Sequence, residues 1–375
     1  MRIAINTRLL LHNRLDGIGW FTAETARRIV TAHPEHQFYF FFDRKPHPEF
    51  LFSDNVTPVV LCPQARHPVL WYLYFEYATQ WALKKYHIDL YLSPDSLMPI
   101  HPKVPTLNVI HDLNFEHASG NLMASHQRYM KHFSPLFAHN ATRLATVSAF
   151  SRNDIAQTYG INPDKIDIVY DGAHSNYRPH GDEEKAAVRR RFTGGSPYII
   201  FISTIIKRKN LANLLIAFDK VKEQTPDDLK LVVVGSRIWW QDELAHAYDN
   251  MRHQSDVLLP GRVEPDDLAA LLSASEMLVY PSYFEGFGIP ILEAMYAETA
   301  VIASNTTSMP EVGGDAALYI NPADSNDITH AISILRDENI RQDYIAKGRV
   351  QREKFSWDIS ANLLWDSMMK TIGTK

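Results

Sequence analysis

"YFEGFGIPILEAM", residues 283–295, is the stretch that decides the fold, because it lies where an apolar strand passes into a helix. The preceding run, residues 277–282, begins with continuous apolar residues, as expected of a strand that is buried on both faces. Pro290 suits the first position of a helix, since its φ is already helical and its missing N–H would have no partner there. A buried strand followed directly by a helix is the repeating unit of a parallel α/β sheet.

The same alternation runs along the whole chain. Strands are predicted from short β-rich apolar runs, at residues 2–5, 37–42, 89–93, 106–110, 143–147, 198–203, 229–235, 256–261, 277–282 and 300–304. Helices are predicted from apolar residues at helical spacing, at residues 18–32, 68–86, 124–138, 149–159, 210–223, 239–252, 265–274, 289–297, 324–336 and 338–354. This pattern indicates parallel sheets covered by helices on both faces.

A break in the pattern indicates two domains. Residues 171–197 mix glycine, proline and charge without a long apolar stripe, which predicts a linker. We therefore predict an α/β fold of two Rossmann-like, doubly wound domains, residues 1–180 and 181–356, that face each other across a cleft. The amphipathic segment 357–375 is predicted to form a helix that packs back on the first domain. Ligands bind beyond the carboxyl ends of the strands in such folds, so the cleft is the expected site.

Composition excludes several classes of protein. The chain has 375 residues, of which 45% are hydrophobic and 22% charged, as in ordinary globular proteins. No apolar run is long enough to predict a membrane-spanning helix, and the first residues are expected to form a strand instead of a signal peptide. Cys62 is the only cysteine, which excludes a disulfide framework and favours the reducing cytoplasm.

Charge is distributed unevenly within the net value of −5. Residues 1–190 hold 20 Lys and Arg against 18 Asp and Glu, whereas the remainder holds 18 against 25. Two explanations of this uneven charge stay open. It arises by chance, or the first half of the chain meets an anionic partner such as a phospholipid surface or a lipid phosphate. The aromatic run at 71–81 leaves two readings open as well, a buried helix or a surface for an acceptor or a membrane. Nucleic acid is not an expected partner.

The loop before Pro290 is a candidate phosphate site. The backbone N–H groups of residues 286–289 would lie at a helix N-terminus, which attracts anions, and the glycines allow close approach. Carboxylates accept hydrogen bonds from hydroxyls, so Glu293, expected in the first helical turn, could hold a ribose diol and Glu285 a sugar. The two are separated by about 12 Å of helix, which matches the span of a diphosphate between them. The alternative is an ordinary helix N-terminus with an acidic residue.

Three further features lie at predicted strand ends. The basic run Lys207-Arg208-Lys209 could neutralise a diphosphate, or it could be a solvated charge run. The sequence Gly17-Ile18-Gly19 would place amides opposite a phosphate between the first strand and its helix, or it could be a simple turn. His111 follows the strand at 106–110 and is either a satisfied polar residue at a domain rim or a ligand contact.

These motifs together resemble the retaining glycosyltransferases of family four, which have the GT-B fold. The sequence E-G-F-G-x-P-x-L-E-A-M is similar to the family's E-x7-E motif. Other similar segments occur in order along nearly the whole chain, at residues 17–29, 109–117, 146–155, 165–179, 203–218, 231–240, 258–282 and 304–324. The resemblance implies a glycosyltransferase with a nucleotide-sugar site in the second domain and an acceptor site in the first.

The resemblance also implies roles for individual residues. Those expected to bind the donor are Gly17, Gly19, Ser203, Arg208, Lys209, Arg262, Val263, Glu285, Gly286, Phe287, Gly288, Ile289 and Glu293. Those expected to act in catalysis are His111, Glu285, Arg208 and Lys209. Many relatives carry an additional arginine before the basic run, where this chain has residues 203–206, so Arg208 is expected to substitute for it. After the motif, Glu298 stands where relatives usually have glycine, and Ala300 where they have proline.

The predicted activity is transfer of a hexose from a nucleoside diphosphate sugar with retained anomeric configuration, in polysaccharide biosynthesis. GDP-mannose is the favoured donor, UDP-glucose and related donors stay open, and the acceptor is a glycan or a lipid-linked oligosaccharide. No cofactor and no metal ligands are predicted, since no Asp-x-Asp motif lies in a strand-end loop. The leaving phosphate would take the acceptor proton, with Glu285 positioning the sugar instead of attacking it. The expected location is cytoplasmic, with peripheral contact of the first domain at the inner face of the membrane.

Two alternatives belong to other classes. One is a nucleotide-sugar epimerase on the same architecture, which would have no acceptor channel. The other is a non-catalytic partner that binds a sugar nucleotide. Donor hydrolysis by the purified protein would exclude the second alternative.

Overall fold

The computed structural model describes residues 1–117, 123–236 and 242–373. The chain divides into two compact units, Met1–Gly172 with Ser356–Lys375, and Ala173–Phe355. Each unit contains a parallel sheet among its described residues. The prediction of two Rossmann-like α/β sheets is therefore confirmed.

The first unit is built on a seven-stranded sheet with the order β3-β2-β1-β4-β5-β6-β7. Its strands are β1 (Arg2–Asn6), β2 (Gln37–Phe42), β3 (Val56–Val60), β4 (Leu90–Ser93), β5 (Thr106–Val109), β6 (Arg143–Thr146) and β7 (Ile166–Ile168). Its helices before the boundary are α1 (Gly17–Ala32), α2 (Pro68–Leu73), α3 (Gln80–Lys85), α4 (Asn114–His117), α5 (Ala124–Asn140) and α6 (Ala149–Tyr159). β4 and β5 are buried along their whole length, as expected of central strands in a doubly wound sheet.

The second unit is built on a six-stranded sheet with the order β10-β9-β8-β11-β12-β13. Its strands are β8 (Tyr198–Ile202), β9 (Lys230–Val234), β10 (Val257–Gly261), β11 (Met277–Tyr280), β12 (Ala300–Ser304) and β13 (Ala317–Ile320). Its helices are α7 (Asp182–Thr193), α8 (Leu211–Gln224), α9 (Asp242–Asp249), α10 (Pro265–Ala274), α11 (Ile289–Tyr296), α12 (Met309–Gly313), α13 (Ser325–Leu335) and α14 (Glu338–Gln351). β8, β11 and β12 are fully buried, which explains their continuous apolar sequences.

The last helix, α15 (Trp357–Gly373), belongs to the first unit. Its Asp358 carboxylate lies 2.5 Å from the Arg28 side chain on α1. Its Trp365 ring stacks on the ring of His33, with 3.6 Å between the centroids. These contacts attach the last helix to the unit in which the chain begins. Residues 374–375 of the predicted helix lie outside the described residues.

The strand order places one switch point in each sheet. In the second unit it lies between β8 and β11, because the chain proceeds outward from β8 to β10 and then returns to the other side of β8. In the first unit the same reversal lies between β1 and β4. Ligands of doubly wound sheets bind beyond the carboxyl ends of the strands at such points. The loop that follows β11 is the stretch at 283–288.

The predicted linker at 171–197 is wrong in part, because α7 occupies twelve of its residues, Asp182–Thr193. The side chain of Glu184 accepts a hydrogen bond from the Gly181 amide at 3.0 Å, which caps the start of this helix. The Arg189 guanidinium lies 2.9 Å from Glu276 and holds the helix to its unit. Polar pairs, and not an apolar stripe, therefore fix α7, and apolar periodicity gave no signal for it.

The helix predicted over 68–86 is divided by a π-helical segment, Tyr74–Thr79, between α2 and α3. The aromatic run is divided between the core and the surface of the unit. Tyr74 and Phe75 are buried in the core, whereas Tyr77 and Trp81 are 64% and 56% exposed.

No helix among the described residues is long and apolar enough to cross a bilayer.

The helix predicted over 239–252 is shorter in the structure. It occupies Asp242–Asp249, and residues 239–241 lie outside the described part of the chain. The same gap contains residues 237–240 of the similar segment at 231–240.

Glu298, which replaces the usual glycine, has a positive φ of 56°. A non-glycine residue is strained in this left-handed region. The Glu298 carboxylate lies 2.5 Å from the Arg349 guanidinium on α14, so an ion pair offsets part of that strain.

Candidate functional site

A cluster of one carboxylate and two cationic side chains lies at the switch point of the second unit. Glu285, in the loop between β11 and α11, is only 7% exposed. One carboxylate oxygen accepts a hydrogen bond from Lys209 Nζ at 2.6 Å, and the other lies 2.9 Å from Arg208 Nη1. The Tyr280 hydroxyl donates to the same carboxylate at 3.0 Å. The end of β11 and the loop after β8 thus bring together residues that are more than seventy positions apart.

The charges in this cluster fix its ionisation. Burial alone would raise the pKa of Glu285, but Lys209 and Arg208 lower that pKa to about 2. Burial raises the pKa of Tyr280 well above its ordinary value, so the phenol keeps its proton. With Glu285 ionised, two cations face one carboxylate, and the cluster carries an excess of one positive charge. This excess favours an anionic ligand.

The cluster is held by residues that sequence reasoning missed. The Ser308 hydroxyl is fully buried and lies 2.9 Å from the carbonyl oxygens of both Glu285 and Phe287. The Tyr283 amide donates to the Arg208 carbonyl at 2.9 Å, which joins the two loops directly. Ser308 lies 23 residues beyond Glu285, so neither spacing nor periodicity could have indicated it.

Asn210 fixes the direction of the chain after the basic run. It has a φ of 60°, and its side-chain amide donates to the carbonyl oxygens of Pro281 at 3.0 Å and Pro322 at 2.7 Å. Asparagine is among the few residues that occupy this conformation readily. Lys207, by contrast, is 84% exposed and lies 3.3 Å from Glu243, so the basic run divides into one solvated residue and two residues of the cluster.

Ser203 lies at the carboxyl end of β8, close to the backbone of β9. A Cβ added at Gly235 would lie 1.8 Å from the Ser203 carbonyl oxygen, so a side chain at Gly235 would not fit. The Ser203 amide donates to the Val234 carbonyl at 3.0 Å. Only glycine permits this approach of the two strand ends.

The helix after the loop begins at Ile289, one residue before Pro290, which was predicted to be its first residue. Gly288, with a φ of 101°, is its N-cap, and Ile289 is its first residue, so Pro290 is second and Glu293 lies beyond the first turn. The Glu293 carboxyl is partly buried, and burial raises its pKa to about 7, with a hydrogen bond to the Tyr177 side chain acting in the opposite direction. Tyr177 is a further residue that the sequence did not indicate.

Arg262 and Val263 follow β10, which is separated from β11 by two strands in the sheet. Arg262 is exposed and Val263 partly buried. Because all neighbouring strands are parallel, these two residues lie at the same edge of the sheet as the cluster. They do not lie next to the cluster. At about 4.8 Å between neighbouring strands, the separation along the edge is about 14 Å.

In the first unit, the two glycines lie in the helix and not before it. Gly17 is the first residue of α1, and the Gly19 amide donates to the Asp16 carboxylate at 2.9 Å. Asp16 therefore caps the helix by accepting from the Gly19 amide, a donor that was predicted to face a phosphate. This corrects the placement of the loop, which occupies residues 7–16.

His111 follows β5, which lies on the other side of the switch point between β1 and β4. Its Nε2 lies 2.8 Å from the Pro94 carbonyl oxygen, which can only accept, so Nε2 carries the proton. Burial lowers the pKa of His111, which keeps the ring neutral and leaves Nδ1 as an acceptor. Its ring meets that of Phe21 edge-on at 5.0 Å. The neighbouring Asp112 carboxylate accepts a hydrogen bond from the Asn114 amide at 2.9 Å.

Comparison with known proteins gives consistent matches over both units. Residues 15–177 match the family model described as Glycosyltransferase Family 4, and residues 182–351 match Glycosyl transferases group 1. The chain is 30% identical over 356 residues to the O-antigen chain mannosyltransferase B of Escherichia coli, covering 92% of this chain and 93% of the relative. It is 26% identical over 271 residues to the O-antigen chain mannosyltransferase RfbU of Salmonella typhimurium, covering 71% and 70%.

Among solved structures, the fold is similar to that of the sucrose-phosphate synthase of Thermosynechococcus elongatus. The TM-score is 0.78 at 17% identity, and the match covers 100% of both chains. At this identity the likeness shows the fold alone, and it agrees with the two parallel sheets described above.

Proposed function

The chain belongs to the family-four glycosyltransferases, and from this premise we propose that it transfers mannose from GDP-mannose to a growing surface polysaccharide. The cluster of Lys209, Arg208 and Glu285 at the switch point of the second unit is the observation that supports this most directly. Its excess positive charge suits the diphosphate of a sugar nucleotide. The choice of mannose rests on the names of the relatives, which are O-antigen chain mannosyltransferases.

The proposed role of the cluster is stabilisation of the leaving diphosphate. Negative charge increases on the phosphate as the glycosidic bond breaks, and fixed cations stabilise that charge without reorganising. The Glu285 carboxylate already accepts contacts from Lys209, Arg208 and Tyr280, which use most of its acceptor capacity. Glu285 therefore acts chiefly by holding the two cations, with room for about one sugar hydroxyl.

We also propose that the reaction retains the anomeric configuration and needs no metal ion. An ion-paired carboxylate with a pKa of about 2 is a poor nucleophile, so Glu285 is unsuited to forming a covalent glycosyl intermediate. The two cations can supply the charge that a metal ion supplies elsewhere. Proton NMR of the product would report the anomer, and transfer in the presence of EDTA would report the metal requirement. An inverted product, or loss of transfer that added Mg²⁺ restores, would contradict these proposals.

The donor is tested with a panel of nucleotides and nucleotide sugars. We expect GDP to raise the melting temperature of the purified chain while UDP does not, since ligand binding stabilises the folded state. GDP-mannose and an oligosaccharide acceptor should then give a mannosylated product and GDP. Equal shifts with both nucleotides would contradict the choice of base. Conversion of GDP-mannose to another GDP-hexose without acceptor would indicate an epimerase, and binding without turnover a non-catalytic protein.

Glu293 is proposed to hold the ribose, and its raised pKa makes nucleotide binding pH-dependent. A ribose diol donates to the ionised carboxylate, so binding favours the deprotonated form and releases a proton. Below a pKa of about 7, each pH unit should weaken the affinity by up to about tenfold. Titration calorimetry between about pH 8 and about pH 6 would measure this effect.

The matched control is Glu293→Gln, in which position 293 cannot titrate. Protonation of the nucleotide's own phosphates weakens binding to the wild-type chain and to this variant equally. The difference between their pH profiles is therefore due to Glu293. Superimposable profiles would show that Glu293 does not hold the ribose.

A lipid-linked acceptor requires the enzyme to reach a membrane, and the first unit presents a surface for it. Val69, Tyr77 and Trp81 are 62%, 64% and 56% exposed, and they lie on one helical segment at multiples of four residues. The Lys85 ammonium lies 4.5 Å from the centre of the Trp81 ring. Exposed aromatic rings beside lysines suit the headgroup region of an anionic bilayer. We propose peripheral contact of this surface with the membrane.

Sedimentation with lipid vesicles tests the membrane contact. The wild-type chain should bind vesicles that contain anionic phospholipid, and the double variant Tyr77→Ala/Trp81→Ala should bind them much less. Val350→Ala, which removes a similarly exposed apolar side chain from the second unit, is the control and should bind like wild type. Absence of wild-type binding, or equal loss in the control, would contradict the proposal.

A further inference from the structure

Two histidines and a glutamate meet on the surface of the first unit, outside the elements discussed so far. His12 lies in the loop between β1 and α1, whereas His47 and Glu49 lie after β2, at a short helical turn over Pro48–Phe50. One ligand atom from each of the three lies within 4.8 Å of the other two. The fold therefore brings His12 together with residues that lie 35 and 37 positions later in the chain, as one group of potential metal ligands.

The donor atoms already lie close to one another. His12 Nδ1 lies 2.5 Å from Glu49 Oε1, and His47 Nδ1 lies 3.4 Å from the same oxygen. The two imidazole rings are stacked, with 3.8 Å between their centroids and 15° between their planes. The Glu49 amide donates to His47 Nδ1 at 3.5 Å, a long hydrogen bond that His47 must give up before this nitrogen can bind an ion.

We propose that His12, His47 and Glu49 form a surface site for a divalent transition metal ion of the Zn²⁺ type. Tetrahedral Zn²⁺ with bonds of about 2.0–2.2 Å places its ligands about 3.3–3.5 Å apart. The His47–Glu49 separation of 3.4 Å already has this value. The His12–Glu49 contact must lengthen by about 1 Å, and the side chains can move because they are 43% and 42% exposed. Water completes the coordination.

The ligand set determines which ions bind. Imidazole nitrogen with one carboxylate suits Zn²⁺, Ni²⁺, Co²⁺ and Cu²⁺, whereas Mg²⁺ and Ca²⁺ prefer oxygen ligands throughout. The site is therefore distinct from a Mg²⁺ requirement in glycosyl transfer, and it does not depend on the proposed function. The bound ion cross-links the β1–α1 loop to the turn at Pro48–Phe50, and this loop ends at Asp16, which caps α1.

A second arrangement in the same unit provides a matched control. His33 and His36 also flank a glutamate, Glu35, with 3.4 Å from each ring to the carboxylate. His36 Nδ1, however, lies 3.2 Å from the amino group of Met1, and the His33 ring is stacked on Trp365. Among the described residues, only the group at His12, His47 and Glu49 brings three ligand atoms within 4.8 Å of one another, so we expect His36→Ala to leave metal binding unchanged.

The experiment measures metal binding directly on the untagged full chain. Wild-type protein is dialysed against Zn²⁺ and its metal content determined, and Co²⁺ titration follows the d–d absorption of a tetrahedral site. We expect one ion per chain in the wild type and in His36→Ala, and strongly reduced binding in His12→Ala and Glu49→Gln. Thermal unfolding of each variant shows that it is folded. No bound ion in the wild type, or loss in His36→Ala with retention in His12→Ala, would overturn the proposal.

Discussion

Lys209→Met is expected to lower kcat/KM for transfer by about 10²–10³-fold, the cost of removing one preorganised charge from a transition state. Lys209 Nζ lies 2.6 Å from Glu285 and 2.8 Å from the Tyr280 hydroxyl, so its position is fixed before any donor arrives. Methionine keeps the length and apolar stem of the side chain but removes the charge. Steady-state kinetics with the donor identified by the nucleotide panel would measure the effect.

The neighbouring Lys207 provides the control for this prediction. It belongs to the same basic run, but it is 84% exposed and pairs with Glu243. Lys207→Met should therefore stay close to wild-type activity. Equal losses in the two variants would mean that the basic run acts through its total charge, and that the fixed position of Lys209 is irrelevant.

Glu285→Gln is expected to destabilise the second unit by about 3 kcal/mol at neutral pH. The carboxyl has a pKa of about 2 in the folded chain, against 4.5 for an ordinary glutamate. This shift of about 2.5 units corresponds to about 3 kcal/mol of folding free energy. Glutamine leaves Lys209 and Arg208 without their counter-charge, which is unfavourable for partly buried cations.

The sign of the pH dependence follows from the lowered pKa. The stabilisation by Glu285 is fully present above about pH 4.5, where an unfolded glutamate is ionised, and it is lost as the pH falls towards about 2. Urea unfolding should therefore show a wild-type advantage over Glu285→Gln at pH 7 that diminishes with acidification. An advantage that stays constant over this range would show that Glu285 is not the titrating group.

Glu293 should behave in the opposite way in the same assay. Its folded pKa is raised to about 7, so its contribution to stability is present below about pH 4.5 and is lost as the pH rises through 7. Glu293→Gln should gain stability relative to wild type as the pH rises. The two glutamates of one motif thus serve as controls for each other.

The sequence predicts the central strands well and the polar and edge elements poorly. β8 and β11 are buried on both faces, so their apolar runs are unambiguous. β3 was not predicted, because it lies at the sheet edge and contains Pro58, which removes a backbone donor. α7 was not predicted, because ion pairs hold it and it has little apolar surface.

The same distinction applies to the candidate site. Glu285, Arg208 and Lys209 were indicated by motifs in two strand-end loops, and the structure brings them into contact. Ser308 and Tyr177 became visible only in three dimensions, because each reaches its partner across distant sequence. Glu293 lies one residue further into the helix than expected, since a glycine with positive φ serves as the N-cap and the helix begins at Ile289.

The order β10-β9-β8-β11 separates two tasks along one sheet edge. We propose that the loop at Arg262, which was expected to bind the donor, meets the nucleobase, while the cluster at Glu285 stabilises the departing diphosphate, about 14 Å away. Donor preference and bond-breaking chemistry can then diverge independently. Exchanging residues 261–264 between relatives should alter which nucleotide is accepted while the acid–base titration of the Glu285 cluster stays unchanged. One scaffold can in this way give rise to enzymes for many activated sugars.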